Sequence, residues 1–249
     1  MAKYCSWLGF GILDYQNRPD DGNKEIEYLD LLIADFGISP KVTGRTAMEK
    51  IYLRYLELER NRTNVLALTK YNIDGYHELC LKVHAFLYKG ILSNAGEFRQ
   101  SSDPNDGNVY FGGIAHRTMK NKFVGTIPVN IALELKYVFS ILFDTNFSCI
   151  ERAIRFYAEF VAIHPFYDAN GRIGRYIVDV YLQYHNYYVD WQLLYKSQSK
   201  FLRKLNYCHS VRLKSKQCTE KKKYWKSIRG QYISYLVNFW SKFIYQISE

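Results

Sequence analysis

Apolar residues recur every three or four positions along most of this 249-residue chain, and that period restricts its fold more than any other feature. In TAMEKIYLRYLELERN, Met48, Ile51, Tyr52, Tyr55 and Leu56 form one stripe. DGYHELCLKVHAFLYKGIL repeats the pattern from Leu79 through Val83, Phe86 and Leu87 and closes near Gly90. PVNIALELKYVFSILF opens on Pro128, a residue suited to a first helical turn. SCIERAIRFYAEFVAI has Ser148 as a candidate N-cap. GRIGRYIVDVYLQYH and KKYWKSIRGQYISYLVNFWSKFIYQI complete the set, the last reading as one long amphipathic helix weakly interrupted at Gly230. A period near 3.6 predicts helices throughout.

One segment departs from this pattern. QSSDPNDGNVYFGGIAHRTMKNKFVGTIP is rich in Gly, Asn, Asp and Ser. Its β-prone run, Val109-Tyr110-Phe111, is bounded by Gly107-Asn108 and Gly112-Gly113. The segment predicts a long loop carrying a small hairpin. Loops of that length in compact domains are usually functional or disordered.

Composition narrows the class. An apolar fraction of 48% is that of a globular protein, and the chain is long enough for one sizeable domain or a core with appended helices. Aromatics reach 17%, mostly tyrosine, which suits core packing with tyrosine rims. The five cysteines form no CxxC pair, so neither a disulfide framework nor a cysteine zinc site is expected, and a reducing compartment is favoured. The amino terminus does not read as a signal peptide, and no segment approaches the roughly 20 apolar residues of a membrane helix. The net charge of +10 is uneven: residues 14–35 are acidic, whereas 200–229 are strongly basic with only Glu220 opposing. A solvated basic face is the default explanation, and a dedicated anionic partner is the alternative.

The stretch HPFYDANGRIGR, from His164 to Arg175, joins two of the apolar helices. Pro165 disfavours helix at His164, so the first helix ends near Ile163 and the second begins near Gly171 or Arg172. A helix N-terminus presents backbone N–H groups and the positive end of its dipole to an anion. Ala169 and Gly171 are small enough for a phosphate to approach the backbone. Arg172 and Arg175, three apart, share a helix face close to its start and can reach one polyphosphate. Asp168 suits a Mg²⁺ ion that also takes phosphate oxygens. His164, with an ordinary pKa near neutrality, can remove a proton from an attacking hydroxyl. Phe166 is expected in the core and Tyr167 outward. Each feature alone also occurs in ordinary turns, and it is their order at one helix boundary that points to phosphate chemistry.

These twelve residues resemble, at every defined position, the Fic-family signature His-x-Phe-x-(Asp/Glu)-(Gly/Ala)-Asn-(Gly/Lys)-Arg-x-x-Arg. HAFLYKGILSNAGEFRQ resembles that family's upstream helix and the segment after it, and NVYFGG and KFVGTIP resemble its flap hairpin. The resemblance covers roughly 66–188. It implies an all-α fold: a Fic-type helical bundle with one small β-hairpin flap and extra helices at both ends. The corresponding division is an N-terminal helical extension over 1–65, a catalytic core over 66–188 and a basic C-terminal helical extension over 189–249.

The implied activity is AMPylation, the transfer of AMP from ATP to a Tyr, Thr or Ser hydroxyl of a target protein. His164 would be the general base. Asp168 would hold Mg²⁺ on the α- and β-phosphates. Asn170, with the amides of Ala169, Asn170 and Gly171, would form the anion hole. Arg172 would contact the phosphates, and Arg175 would pair with the γ-phosphate. The flap, Val109, Tyr110, Phe111, Gly112 and Gly113, would hold the target by backbone pairing. Ala169 stands where the family more often has Gly, and would carry a steric cost if its φ is positive.

Many members carry an inhibitory helix with the pattern (Ser/Thr)-x-x-x-Glu-(Gly/Asn), and no glutamate of either flank fits it. An antitoxin-like partner could supply one, or the enzyme could act unrestrained as a delivered effector. A cytoplasmic location is expected, a homo-oligomer is left open, and nucleic acid is not the expected partner. The rival readings are transfer of UMP, phosphocholine or phosphate on the same fold, and a non-catalytic basic binding module.

Overall fold

The computed structural model describes residues 5–6, 19–61, 71–111, 123–217 and 222–247, with side chains described over 26–61, 71–111, 123–212 and 230–247. Gly112 and Gly113 lie outside the described residues. The chain is all-α in character. Its helices are α1 (Pro19–Phe36), α2 (Gly44–Arg60), α3 (Ile73–Tyr88), α4 (Pro128–Ser140), α5 (Cys149–Ile163) and α6 (Asn170–Tyr184), followed by the short α7 (Trp191–Lys196), then α8 (Gln198–Gln217) and α9 (Lys222–Trp240).

The ends of these helices follow local chemistry. Thr43 and Thr46 form a capping box at α2. Asn72 accepts from the Gly75 N–H at α3, and Ser148 from the Glu151 N–H at α5. Pro128 occupies the first turn of α4, where its missing N–H costs nothing.

Helices α5 and α6 form the centre. From Ala153 to Ile163 only Arg155 is not buried, and α6 is buried from Arg172 to Leu182. A helix apolar on nearly all sides has to be surrounded. Accordingly, α4, α8 and α9 pack on α5, while α3 packs on α6 and is itself covered by α2. Leu29, Leu32 and Ile51 from the amino-terminal helices and Leu205, Leu236 and Trp240 from the carboxy-terminal ones belong to the same buried cluster as Phe160 and Tyr176. No described helix is long and apolar enough to cross a membrane.

The strands are short. β2 (Tyr110–Phe111) and β3 (Phe123–Val124) pair antiparallel and form the expected hairpin. β1 (Cys5–Ser6) adds to β2 in parallel, giving the order β1-β2-β3. The carboxy-terminal tail differs from its sequence reading. Helix α9 stops at Trp240, and Ile244–Gln246 forms β5, which pairs antiparallel with β4 (Tyr187–Val189). The run Phe-Ile-Tyr is β-prone as well as apolar, and the edge offered by β4 decides between the two conformations.

Candidate active site

The loop between α5 and α6 is built by backbone conformations that sequence propensity disfavours. His164 closes α5 with φ 55°, and Ala169 precedes α6 with φ 62°, both left-handed. The positive φ at Ala169 is the strained case for a residue with a Cβ, with a cost of about 1 kcal/mol relative to glycine. Asn170 holds the turn between them. Its Oδ1 accepts from the Phe166 N–H at 3.0 Å, and its Nδ2 donates to the Phe166 carbonyl at 2.8 Å. Alanine offers no capping oxygen, so α6 opens without a side-chain cap and its first amides face the loop.

Most of the motif is buried. Asp168 and Gly171 are the positions from His164 to Arg175 that are only half-buried, so the turn opens to solvent at the carboxylate and at the smallest residue. Arg172 Nη2 donates to Asp168 Oδ2 at 2.6 Å. Burial opposes ionisation of Asp168, but Arg172 and a hydrogen bond from the Tyr88 hydroxyl outweigh it and hold the carboxyl below its ordinary pKa. Arg175 turns to a different partner, the hydroxyl of Tyr157 on α5. The two arginines of the motif therefore have separate anchors, although they lie three apart.

His164 is 2% exposed and its ring stacks on Phe111 of the hairpin at 4.4 Å. Nδ1 lies 3.2 Å from the Val161 carbonyl. A carbonyl only accepts, so Nδ1 carries the proton and the lone pair of the neutral ring is on Nε2. Burial, seconded by the charge of Arg99, pushes the imidazole down to about 3. At neutral pH the ring is a base. Phe166 is fully buried, as expected, and stacks on His84 at 4.1 Å. His84 Nδ1 accepts from the Gly96 N–H at 2.8 Å, which accounts for this histidine structurally.

Tyr167 reverses its expected direction. It is 3% exposed, its ring packs on Phe36 at 4.9 Å, and its hydroxyl donates to Asp103 at 3.0 Å. Helix α1 supplies that cover and also sends the Tyr28 hydroxyl to the Tyr167 carbonyl. A twelve-residue reading cannot contain a helix that lies more than a hundred residues upstream.

Two neighbours that hold the loop escaped the sequence reading. Tyr88, fully buried at the end of α3, donates to Asp168 and accepts from Arg172 at 3.2 Å. Removing that hydroxyl by Tyr88→Phe is expected to lower stability by about 2 kcal/mol, the usual cost of losing a bond to a buried charge. For a chain of this size that is a drop in Tm of about 4–8 °C. An unchanged Tm would show that the hydroxyl carries no weight. The second is Arg99, whose Nε donates to the His164 carbonyl at 2.8 Å and whose Nη2 donates to the Thr126 carbonyl at 2.7 Å, with Nη1 on the Gly107 carbonyl. Arg99 thus joins the His164 loop to both sides of the hairpin. Gly125 lies in the same place. A Cβ there would come within 2.9 Å of Val109 Cγ1, 3.0 Å of the Arg99 guanidinium and 3.2 Å of the Ile163 carbonyl, so any larger residue has to push these neighbours aside.

Residues 73–182 match the Fic/DOC family. No curated protein matches the chain. Among solved structures it is similar to a Fic family protein from Desulfovibrio desulfuricans, with 18% identity and a TM-score of 0.42 over 92% of this chain and 69% of that one. It is also similar to the N-terminal Fic domain of a VirB-translocated Bep effector protein from Bartonella quintana, solved with ADP, with 15% identity and a TM-score of 0.49 over 84% and 90% of the two chains. BepC from Bartonella tribocorum, solved with AMPPNP, gives 15% identity and a TM-score of 0.47 over 87% and 98%. The family match spans the helices and the hairpin that build the His164 loop, and this chain carries a Fic/DOC-family domain, a kind of domain that transfers nucleotide or phosphate groups.

Proposed function

We propose that the chain transfers AMP from ATP to a hydroxyl of a target protein. The observation that carries this reading is one loop that combines an unprotonated imidazole nitrogen, an uncapped helix N-terminus and an Arg172–Asp168 pair at its opening. In the proposed step the hydroxyl oxygen attacks the α-phosphorus, the bond to the β-phosphate oxygen breaks, and pyrophosphate leaves. His164 Nε2 takes the hydroxyl proton. The amides of Ala169, Asn170 and Gly171 stabilise charge on the α-phosphate oxygens, an electrostatic role that needs fixed donors. The Asn170 side chain serves by holding that turn rigid. Arg172 binds phosphate once it releases Asp168, and Arg175 orients the far end of the nucleotide.

The donor set suits Mg²⁺: one partly exposed carboxylate, at Asp168, with phosphate oxygens completing the shell. The ion would neutralise charge on the phosphates.

The hairpin is the proposed target platform, through Val109, Tyr110 and Phe111 with Gly112 and Gly113 beyond them. Strand β2 already pairs on both sides, with β1 and β3. A target strand therefore has to displace β1 or pair along β3. An inhibitory partner of antitoxin type is the proposed restraint, since the flanking glutamates lack the inhibitory pattern.

The test incubates wild type and His164→Ala with Mg²⁺ and α-³²P-ATP, and in parallel with γ-³²P-ATP, in cell lysate. Protein label is expected from the α-phosphate alone, reduced about 10²–10⁴-fold in the variant, the usual contribution of a general base. Label from the γ-phosphate would instead identify phosphate transfer. Label from neither would overturn ATP as the donor.

A further inference from the structure

We propose that helix α8, which lies beyond the family-matched residues, supplies two positioning residues to the His164 site: Arg212 and His209. The activity arm of the test rests on the transfer reading above, and the structural arm does not.

Arg212 belongs to the basic segment that reads as a solvated face, yet it is 6% exposed. Its Nη2 is 2.5 Å from Glu134 Oε2 on α4, and its Nε is 3.2 Å from Glu159 Oε2 on α5. The same Nη2 lies 3.5 Å from the Thr126 hydroxyl, which itself donates to Glu134 at 2.8 Å. Burial lowers the Arg212 pKa, and Glu134 opposes that shift. One guanidinium thus bridges two carboxylates from two helices, Glu159 on α5 and the partly exposed Glu134 on α4.

Thr126 is the point where this network meets the site. It follows the return strand of the hairpin. Its N–H donates to the Ile163 carbonyl at 2.9 Å, and its own carbonyl accepts from Arg99. Arg99 in turn holds the His164 carbonyl. The path from Arg212 to the backbone of His164 therefore runs through Thr126 and Arg99 by hydrogen bonds alone.

His209 acts one turn earlier on the same helix. Its ring meets Phe111 and Phe123 edge-on, each at 5.4 Å, while Phe111 stacks on His164. Nε2 is within 3.3 Å of the Ala158 carbonyl and therefore carries the proton. Its ring thus packs on both strands of the hairpin while anchored to α5. Through Phe111, α8 sets where the His164 ring lies, and through Thr126 it sets where the His164 backbone lies.

The test uses the full chain and two readouts. Hydrogen exchange is followed in peptides covering 123–127 and 160–166, with 26–60 as reference. Arg212→Met is expected to speed exchange in the first two at least about ten-fold and leave the reference unchanged, because local opening energies differ across a fold. Arg212→Lys, which keeps the charge without the fork, is expected to restore part of the protection. Thr126→Val, which deletes only the hydroxyl link, is expected to show the same local pattern more weakly, and it decides the matter if Arg212→Met does not fold. In the transfer assay the Arg212 variants should lose kcat with KM for ATP little changed, as befits displaced catalytic groups with an intact nucleotide site. Unchanged exchange at 123–127 and 160–166, or an equal rise in the reference, would overturn the proposal. A wild type that transfers nothing would sink the AMP reading and leave the exchange result to decide this one.

Discussion

Arg99→Met is expected to destabilise the protein by about 3–5 kcal/mol, read as a shift of the urea midpoint at unchanged slope. The magnitude follows from two opposing terms. Arg99 is 2% exposed, and burial pulls its pKa down to about 10, so keeping it charged costs about 3 kcal/mol. Against this stand its bonds to the carbonyls of His164, Gly107 and Thr126. A bond from a charged donor contributes about 1.5–3 kcal/mol, and its loss leaves a buried carbonyl unsatisfied. Three such bonds exceed the desolvation cost. Methionine fills the volume and removes every donor, so the net loss is a large share of the 5–15 kcal/mol that holds a typical domain. Arg99→Lys should rescue little, because one ammonium cannot reach three carbonyls in a fixed fork. A shift below about 1 kcal/mol would mean that water replaces the guanidinium, and that the hairpin and the His164 loop are not joined through it.

Acid should unfold this protein unusually early. His84, His164 and His209 are each buried, and burial is the main cause that pushes each pKa from 6.5 down to about 3. The unfolded chain binds a proton at these sites below pH 6.5, and the folded chain does not until about pH 3. Stability is therefore fully present above pH 6.5 and is lost as pH falls through that window. By pH 5 each histidine has withdrawn about 2 kcal/mol. Together they withdraw up to about 6 kcal/mol, enough to unfold a domain of ordinary stability. The stability curve should be level from pH 7 to 8 and then fall with a slope approaching about 4 kcal/mol per pH unit, the signature of three protons. Asp168, whose pKa is also lowered, adds its loss only at lower pH. Urea unfolding at half-unit steps from pH 8 to 5 measures this directly. A curve flat to pH 5 would mean that these rings are not held neutral in the fold.

The helices that build the site were legible because helical periodicity is a local code. Whether residue i and residue i+4 face the same way depends on nothing outside one turn, so the stripes from Met48 and Leu79, the N-cap at Ser148 and the first-turn proline Pro128 appear in the structure as in the sequence. The loop of the candidate site was legible for the same reason, since His164 to Arg175 is contiguous. The support of that loop was not. Tyr88 meets Asp168 across 80 positions, Arg99 meets His164 across 65, and Arg212 meets Thr126 across 86. Tyr167 turned inward because α1 covers it, and Arg175 bonds Tyr157 of α5, a partner outside the motif. In the tail, Ile244–Gln246 is a strand because β4 offers it hydrogen bonds, although its apolar spacing alone continues the helix. Sequence by itself determined the helical class and the chemistry gathered at one turn. Tertiary structure decided which distant side chains hold that turn, because a buried carbonyl or carboxylate must be satisfied by whatever donor the packing brings near.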